Sequence, residues 1–172
     1  KFNIRSLSVS GGLKVNQLQI IASQNVSNSG TIASKSIIEI SASKLINLHG
    51  SGIIAFNSIT IKLKCILMSM QNNGLILTKK NLKIKSEGSI DNQKGVLIAE
   101  GFLDFRVDNI DNTNGLLLSI DQNETSVLNF NKLNNSCNYH FTEKVYELII
   151  WKYSFYEPKL IIFLVKSLLQ AI

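Results

Sequence analysis

The chain has 172 residues, of which 45% are hydrophobic, and its mean hydropathy is +0.14. This composition excludes an intrinsically disordered chain and is sufficient for one domain with a hydrophobic core. The formal net charge of +6 at pH 7 is modest and does not favour a nucleic-acid partner.

Five glycines recur at intervals of 22, 22, 21 and 20 residues, namely Gly30, Gly52, Gly74, Gly95 and Gly115. A period of about 20 residues is typical of one coil of a β-solenoid and is too short for most helical repeats. The sequence therefore predicts an all-β fold, with a repeat array over residues 1–121 and a divergent tail over 122–172. The single proline, Pro158, lies outside the array, as expected if the repeat amides are needed as hydrogen-bond donors.

Each repeat combines an apolar run with an alternating triplet. The runs follow the glycines at residues 31–33, 53–55, 75–77, 96–99 and 116–118. The triplets are Leu18-Ile20-Ala22, Ile38-Ile40-Ala42, Ile59-Ile61-Leu63, Leu82-Ile84-Ser86 and Leu103-Phe105-Val107. Alternation places every second side chain on one face of a strand, so we predict buried triplets and solvent-exposed polar neighbours. We expect a unit of two strands and two tight corners, with successive units stacked about 4.8 Å apart.

An asparagine precedes each of the five glycines and is predicted to form a structural turn with it. The pairs are Asn28 with Gly30, Asn47 with Gly52, Asn72 with Gly74, Asn92 with Gly95, and Asn112 with Gly115. Both residue types tolerate the left-handed backbone conformations that a sharp corner requires. Because equivalent residues of successive coils stack, these corners predict a ladder of hydrogen-bonded asparagine amides.

The segments "NVSNSGTIASKSIIEISASKLINLHGSGIIA" and "SIDNQKGVLIAEGFLDFRVDNIDNTNGLLLS" resemble the filamentous haemagglutinin repeats of bacterial two-partner-secreted exoproteins. The similarity covers about residues 7–121. It implies a right-handed parallel β-helix that is exported through a dedicated outer-membrane transporter of the two-partner type. Such chains form long fibres at the bacterial cell surface, as adhesins, haemolysin-like proteins or stalks of contact-dependent growth inhibition toxins. The implied partners are host or neighbouring cell surfaces, including their glycans.

The densest charge cluster comprises Lys62, Lys64, Lys79, Lys80, Lys83 and Lys85. Four of these residues, at positions 62, 64, 83 and 85, are predicted to point outward from stacked strands, where they are candidate contacts for an anionic glycan or for lipid head groups. The favoured interpretation is a solvated face that discourages side-to-side aggregation, since no aromatic residues alternate with the lysines and Asp104 lies one coil away.

Asp91 and Asp111 lie 20 residues apart and are predicted to stack on neighbouring coils. Polysaccharide lyases with a parallel β-helix gather carboxylates in this way, often with calcium. Each aspartate, however, precedes an asparagine in a corner, which is ordinary turn chemistry and is the favoured interpretation. We therefore predict no catalytic residue, no cofactor and no metal ligand.

The glycine period stops near residue 122, and Pro158 is predicted to open a helix over residues 159–172. That helix would be too short to span a bilayer, which needs about 20 residues. Three interpretations of the tail stay open: a cap on the open end of the solenoid, an amphipathic helix that binds a membrane surface or a partner, or out-of-register translation of a decayed gene. Cys65 and Cys137 show no pairing or metal-binding pattern, so their disulfide state is not predicted.

The sequence predicts a non-enzymatic, structural rod segment of a secreted, surface-associated bacterial exoprotein. Because the chain begins with Lys1, we expect a fragment or a processed piece of a longer protein. One alternative is a β-helix carbohydrate-active enzyme or a phage tailspike fragment, in which clustered carboxylates would be catalytic. The other alternative is a non-functional remnant of a decayed exoprotein gene.

Overall fold

The computed structural model describes residues 1–119, 126–135, 150–153 and 159–162. In these residues the chain is all-β and contains no helix. Parallel strands stack in three sheets, and the chain winds through the sheets in turn for six complete coils. The predicted all-β solenoid is thereby confirmed.

Each coil contributes one strand to each of three sheets. Sheet A contains, in spatial order, β1 (Phe2–Ile4), β4 (Leu18–Ala22), β7 (Ile38–Ala42), β10 (Ile59–Leu63), β13 (Leu82–Ser86), β16 (Leu103–Arg106), β19 (Val127–Asn129), β22 (Lys159–Ile162) and β21 (Ile150–Tyr153). Sheet B contains β2 (Leu7–Val9), β5 (Asn25–Asn28), β8 (Lys44–Asn47), β11 (Met68–Asn72), β14 (Ser89–Asp91), β17 (Asn109–Asp111) and β20 (Lys132–Asn134). Sheet C contains β3 (Gly12–Val15), β6 (Thr31–Ser34), β9 (Gly52–Ala55), β12 (Leu75–Thr78), β15 (Val96–Ala99) and β18 (Leu116–Ser119).

A coil has three strands, so the predicted unit of two strands was wrong. The missing strand is the one in sheet B, whose residues were assigned to a corner. In β5, for example, Val26 and Asn28 are buried while Ser27 between them is half-buried. The segment thus alternates like a strand, but its inward positions carry one apolar and one amide side chain, and the asparagine disguises the pattern.

The interior is built from columns of like side chains. All members of the five predicted triplets are buried, which confirms the inward assignment. The centre of sheet A illustrates the stacking, because Ile40, Ile61 and Ile84 pair in register on three successive coils. Ile61 itself has no exposed surface. Every coil therefore covers the apolar face of the coil before it, and no coil has a complete core of its own.

The described part of the tail extends the stack. Two strands, β19 and β20, pair in parallel with β16 and β17 and continue sheets A and B beyond residue 121. Strand β22 then adds to β19 in the antiparallel direction, and β21 pairs antiparallel with β22. These two strands cover the last parallel edge of sheet A, where unpaired amide and carbonyl groups would otherwise be exposed.

The predicted helix over residues 159–172 was wrong at its start, because Lys159–Ile162 form strand β22. Ile161 and Ile162 are β-branched and favour a strand, and the edge of β19 provides the pairing partner that the sequence alone does not show. Residues 163–172 lie outside the described part of the chain. Within the described residues, no helix is long and apolar enough to cross a membrane.

Candidate functional site

The five predicted turn asparagines form one continuous ladder inside the solenoid. Asn28, Asn47 and Asn72 are the last residues of β5, β8 and β11, while Asn92 and Asn112 directly follow β14 and β17. All five side chains are at most 3% exposed. Their Nδ2 groups each donate to the Oδ1 atom of the next asparagine, over 2.9 Å from Asn28, 2.8 Å from Asn47, 2.6 Å from Asn72, 2.6 Å from Asn92 and 2.7 Å from Asn112 to Asn135. The predicted ladder is confirmed and reaches one coil further than expected.

The second hydrogen of each amide donates to a backbone carbonyl near the start of sheet C. Asn28 Nδ2 contacts the carbonyl oxygen of Gly52 at 3.0 Å, and Asn92 Nδ2 contacts that of Leu116 at 3.2 Å. Buried amides need such partners, because an unpaired buried polar group costs about 1–3 kcal/mol. The ladder therefore fastens the corner between sheets B and C and stabilises the stack.

The glycines after these asparagines are needed for a different reason from the one predicted. Among the described residues, a positive φ occurs at Gly50, Lys94 and Asn114, at 75°, 61° and 55°, and at none of the five repeating glycines. A Cβ atom at Gly95 would instead overlap the carbonyl oxygen of Asn72, one coil below. Glycine is required there because the neighbouring coil approaches the backbone too closely for a side chain.

We expect Gly95→Ala to lower the free energy of unfolding by about 1–3 kcal/mol, because the added methyl group collides with the Asn72 carbonyl and with two ladder amides. Gly52→Ala is the matched control. A Cβ atom at Gly52 would meet only the Ile54 side chain, at 3.6 and 3.8 Å, so little or no loss is expected. Urea denaturation followed by circular dichroism measures both, and equal losses would contradict the close-approach explanation.

The four candidate glycan-binding lysines lie on neighbouring coils. Lys62 in β10 and Lys85 in β13 are exposed and pair in register, while Lys83 is exposed on β13 and Lys64 directly after β10. Arg106 continues the column of Lys62 and Lys85 on the next coil. We call Lys62, Lys64, Lys83, Lys85 and Arg106 the basic surface.

Little on the protein neutralises the basic surface. In the described residues its one ion pair joins Arg106 Nε to Asp104 Oδ1 at 3.3 Å, and both side chains are partly exposed. Lys83 Nζ lies 5.3 Å from the centroid of the Phe102 ring, which is a cation–π contact. A groove of about 170 Å³ runs between the side chains of Lys62, Lys85 and Arg106. Stacked like charges repel one another, so an anion in this groove would be stabilised.

Asp91 and Asp111 stack in register as predicted, and each closes a turn. Asp91 Oδ1 accepts a hydrogen bond from the Gln93 backbone amide at 2.9 Å. Asp111 Oδ1 accepts from the Thr113 hydroxyl at 2.7 Å and from its amide at 3.0 Å. The hydroxyl bond is the main reason why the pKa of Asp111 lies below its ordinary value, although partial burial opposes the shift. A carboxylate held ionised in this way is a turn acceptor and a poor general acid. In the described residues no group of three metal-binding side chains occurs.

The corner between β10 and β11 was missed in the sequence. It has four residues, 64–67, whereas the other sheet A to sheet B corners have one or two. Ile66, Leu67 and Met68 are 72%, 76% and 43% exposed. We call residues 65–68 the apolar loop. The available signal was the spacing of the triplets, which rises to 23 residues between Ile59 and Leu82.

Two other features lie outside the predicted sites. The outward side chains of sheet C form an apolar, half-buried column at positions 33, 54, 77, 98 and 118. Cys65 is a free thiol, and Cys137 lies outside the described residues.

The described residues thus present surfaces along a rod: a basic surface on sheet A, an apolar loop at its edge and an apolar column on sheet C. Their ionisable side chains lie on the outside, and the interior is filled by aliphatic columns and by the amide ladder. Comparisons with protein-family models, with curated proteins and with solved structures gave no match.

Proposed function

We propose that the chain is a structural rod segment of a secreted, surface-associated bacterial exoprotein of the filamentous haemagglutinin type. The observation that carries the proposal is the uninterrupted stacking of six coils around one amide ladder. Such an array adds length and stiffness in proportion to its coil number, which suits a stalk or fibre. A right-handed winding and partners at other cell surfaces belong to this proposal.

Export through an outer-membrane transporter fits the way in which this array is stabilised. Nearly all contacts of a coil are with its immediate neighbours, so the chain can fold coil by coil as it emerges unfolded from a pore. The free thiol of Cys65 imposes no cross-link on that process. The complete pairing of the buried amides supports a chain that folds, and so favours the rod over a decayed remnant.

The alternative of a carbohydrate-active enzyme depends on Asp91 and Asp111. Both carboxylates accept hydrogen bonds from residues of their own turns, and this supports a structural role for them. We therefore propose a non-enzymatic rod whose basic surface meets the anions of a host or neighbouring cell surface.

Surface display in the producing bacterium is the test. Antibodies against the chain should label intact cells, external protease should remove the label, and deletion of the adjacent transporter gene should retain the protein inside the cell. A cytoplasmic protein followed in parallel controls for lysis. Recovery of the chain from the cytoplasm alone, with the transporter intact, would overturn the proposal.

A further inference from the structure

The apolar loop is the largest apolar protrusion on the described surface. Ile66 and Leu67 are both more than 70% exposed, and Met68 follows them in sequence. Single exposed apolar residues are common, but three consecutive ones at a protruding corner mark an interaction site. The corner is also longer than its equivalents on the other coils, so these side chains project beyond the line of the stack.

The loop is held rigidly in this exposed position. The Cys65 amide donates to the Ser43 carbonyl at 3.0 Å on one side, and the Ser89 amide donates to the Leu67 carbonyl at 2.7 Å on the other. Gly88 lies directly beneath, where a Cβ atom would overlap the carbonyl oxygens of Cys65 and Leu67. Because the backbone is fixed from both neighbouring coils, the side chains are unable to fold back onto the solenoid.

Positive charge surrounds the loop on the side of sheet A. Lys62, Lys64 and Lys85 are exposed, and none of them forms an ion pair with a described residue. Glu87, the acidic neighbour on the next coil, is exposed as well and offsets one of these charges. The protrusion therefore combines an apolar tip with a cationic margin.

We propose that the apolar loop and the adjoining lysines of the basic surface dock on an anionic lipid bilayer. Ile66, Leu67 and Met68 enter the boundary between head groups and acyl chains, while Lys62, Lys64 and Lys85 contact the anionic head groups. The inference deepens the proposed function, since it rests on the contact of this surface with cell-surface anions and names a lipid as the partner. A glycan chain would use the lysines but would leave the apolar tip in water.

The test is co-sedimentation of the full chain with vesicles of phosphatidylcholine, with and without phosphatidylglycerol. Binding is expected to the anionic vesicles and to weaken with salt. Leu67→Asp should lower partitioning about ten-fold or more, because it removes an inserted side chain and adds a repelled charge. Phe56→Asp is the matched control, since Phe56 is 66% exposed at a different corner and should partition like the wild type.

A heparin column separates this inference from the proposed function. Leu67→Asp should elute from heparin at the same salt concentration as the wild type, whereas Lys62→Glu combined with Lys85→Glu should weaken binding to both heparin and vesicles. Retention on heparin without vesicle binding would overturn the lipid inference and leave the surface rod intact. Vesicle binding unchanged by Leu67→Asp, or a self-association that Leu67→Asp abolishes, would also overturn it.

Insertion depth gives a second measurement that does not depend on a loss of binding. In a Trp151→Phe background, Leu67→Trp places a single indole at the loop. Its emission should shift to shorter wavelength on addition of anionic vesicles, as an indole does when it leaves water. An unchanged emission spectrum with bound vesicles would show that the loop stays in solvent and would refute insertion.

Discussion

Ile61→Asp is expected to abolish cooperative folding of the chain. Ile61 is fully buried in β10, in the fourth of six coils, and its neighbours in register are Ile40 and Ile84. An unpaired carboxylate at this place costs at least about 4 kcal/mol, against a total stability of about 5–15 kcal/mol for an ordinary domain. The coils on both sides lose their template, so the damage extends beyond one strand.

Lys62→Asp is the matched control, because it places the same side chain at the next residue of the same strand. Lys62 is exposed and stacks on Lys85, so the substitution replaces a repulsion by an attraction. Its effect on the free energy of unfolding should stay within about 0.5 kcal/mol. Far-ultraviolet circular dichroism and urea denaturation measure both variants, and similar losses would mean that the inward face of sheet A is wrongly assigned.

Asn72→Asp is expected to lower stability by about 2–4 kcal/mol at neutral pH. One oxygen of the introduced carboxyl can still accept from Asn47, over the present 2.8 Å. The other replaces the Nδ2 group that donates to Asn92 Oδ1 at 2.6 Å, so two acceptors face each other inside the solenoid. The change thus interrupts the ladder at its middle with almost no change in side-chain volume.

The loss caused by Asn72→Asp should depend on pH in a defined direction. Burial and the facing oxygen raise the pKa of the introduced carboxyl in the folded state above its unfolded value of about 3.9. The penalty is therefore absent below the unfolded pKa and grows as the pH rises toward the folded pKa. A protonated carboxyl can also donate to Asn92. Urea denaturation between pH 4 and neutral pH should show the difference from wild type shrinking toward the acid end.

Gln71→Glu provides the comparison for that experiment. Gln71 precedes Asn72 in β11 and lies on the outer face, in register with Asp91. The same change of charge there should cost less than about 1 kcal/mol, as expected for like charges on an exposed sheet face. If the two variants lose the same stability with the same pH dependence, the ladder is not the cause.

Most of the fold follows from periodicity that the sequence displays openly. The glycine period predicts the coil length, and the triplet around Ile61 predicts which side chains fill sheet A, because one buried face imposes strict alternation. The five asparagines predict the ladder for the same reason, since stacked coils place equal side chains above one another. These features are local in sequence and repeated, so each coil confirms the interpretation of the others.

Other features depend on contacts between coils and escape the sequence. The strand that contains Val26 and Asn28 was assigned to a corner because a buried amide breaks the apolar pattern. Gly95 was explained by its backbone conformation, whereas the reason is the carbonyl of Asn72 beneath it. The pairing of β22 depends on the open edge of β19. The apolar loop was missed because its exposure depends on corner length, which becomes visible once the strands are aligned.

The amide ladder also has a direction. Every Nδ2 group donates toward the next coil, from Asn28 through to Asn135, and no bond in the series is reversed. The amide dipoles are consequently aligned head to tail, and each bond polarises the next. During synthesis or export from the amino-terminal end, the last coil formed always presents an N–H group to the incoming asparagine. The growing tip thus selects an oxygen acceptor in a fixed orientation, which sets the rotational phase of each new coil before its apolar side chains pack.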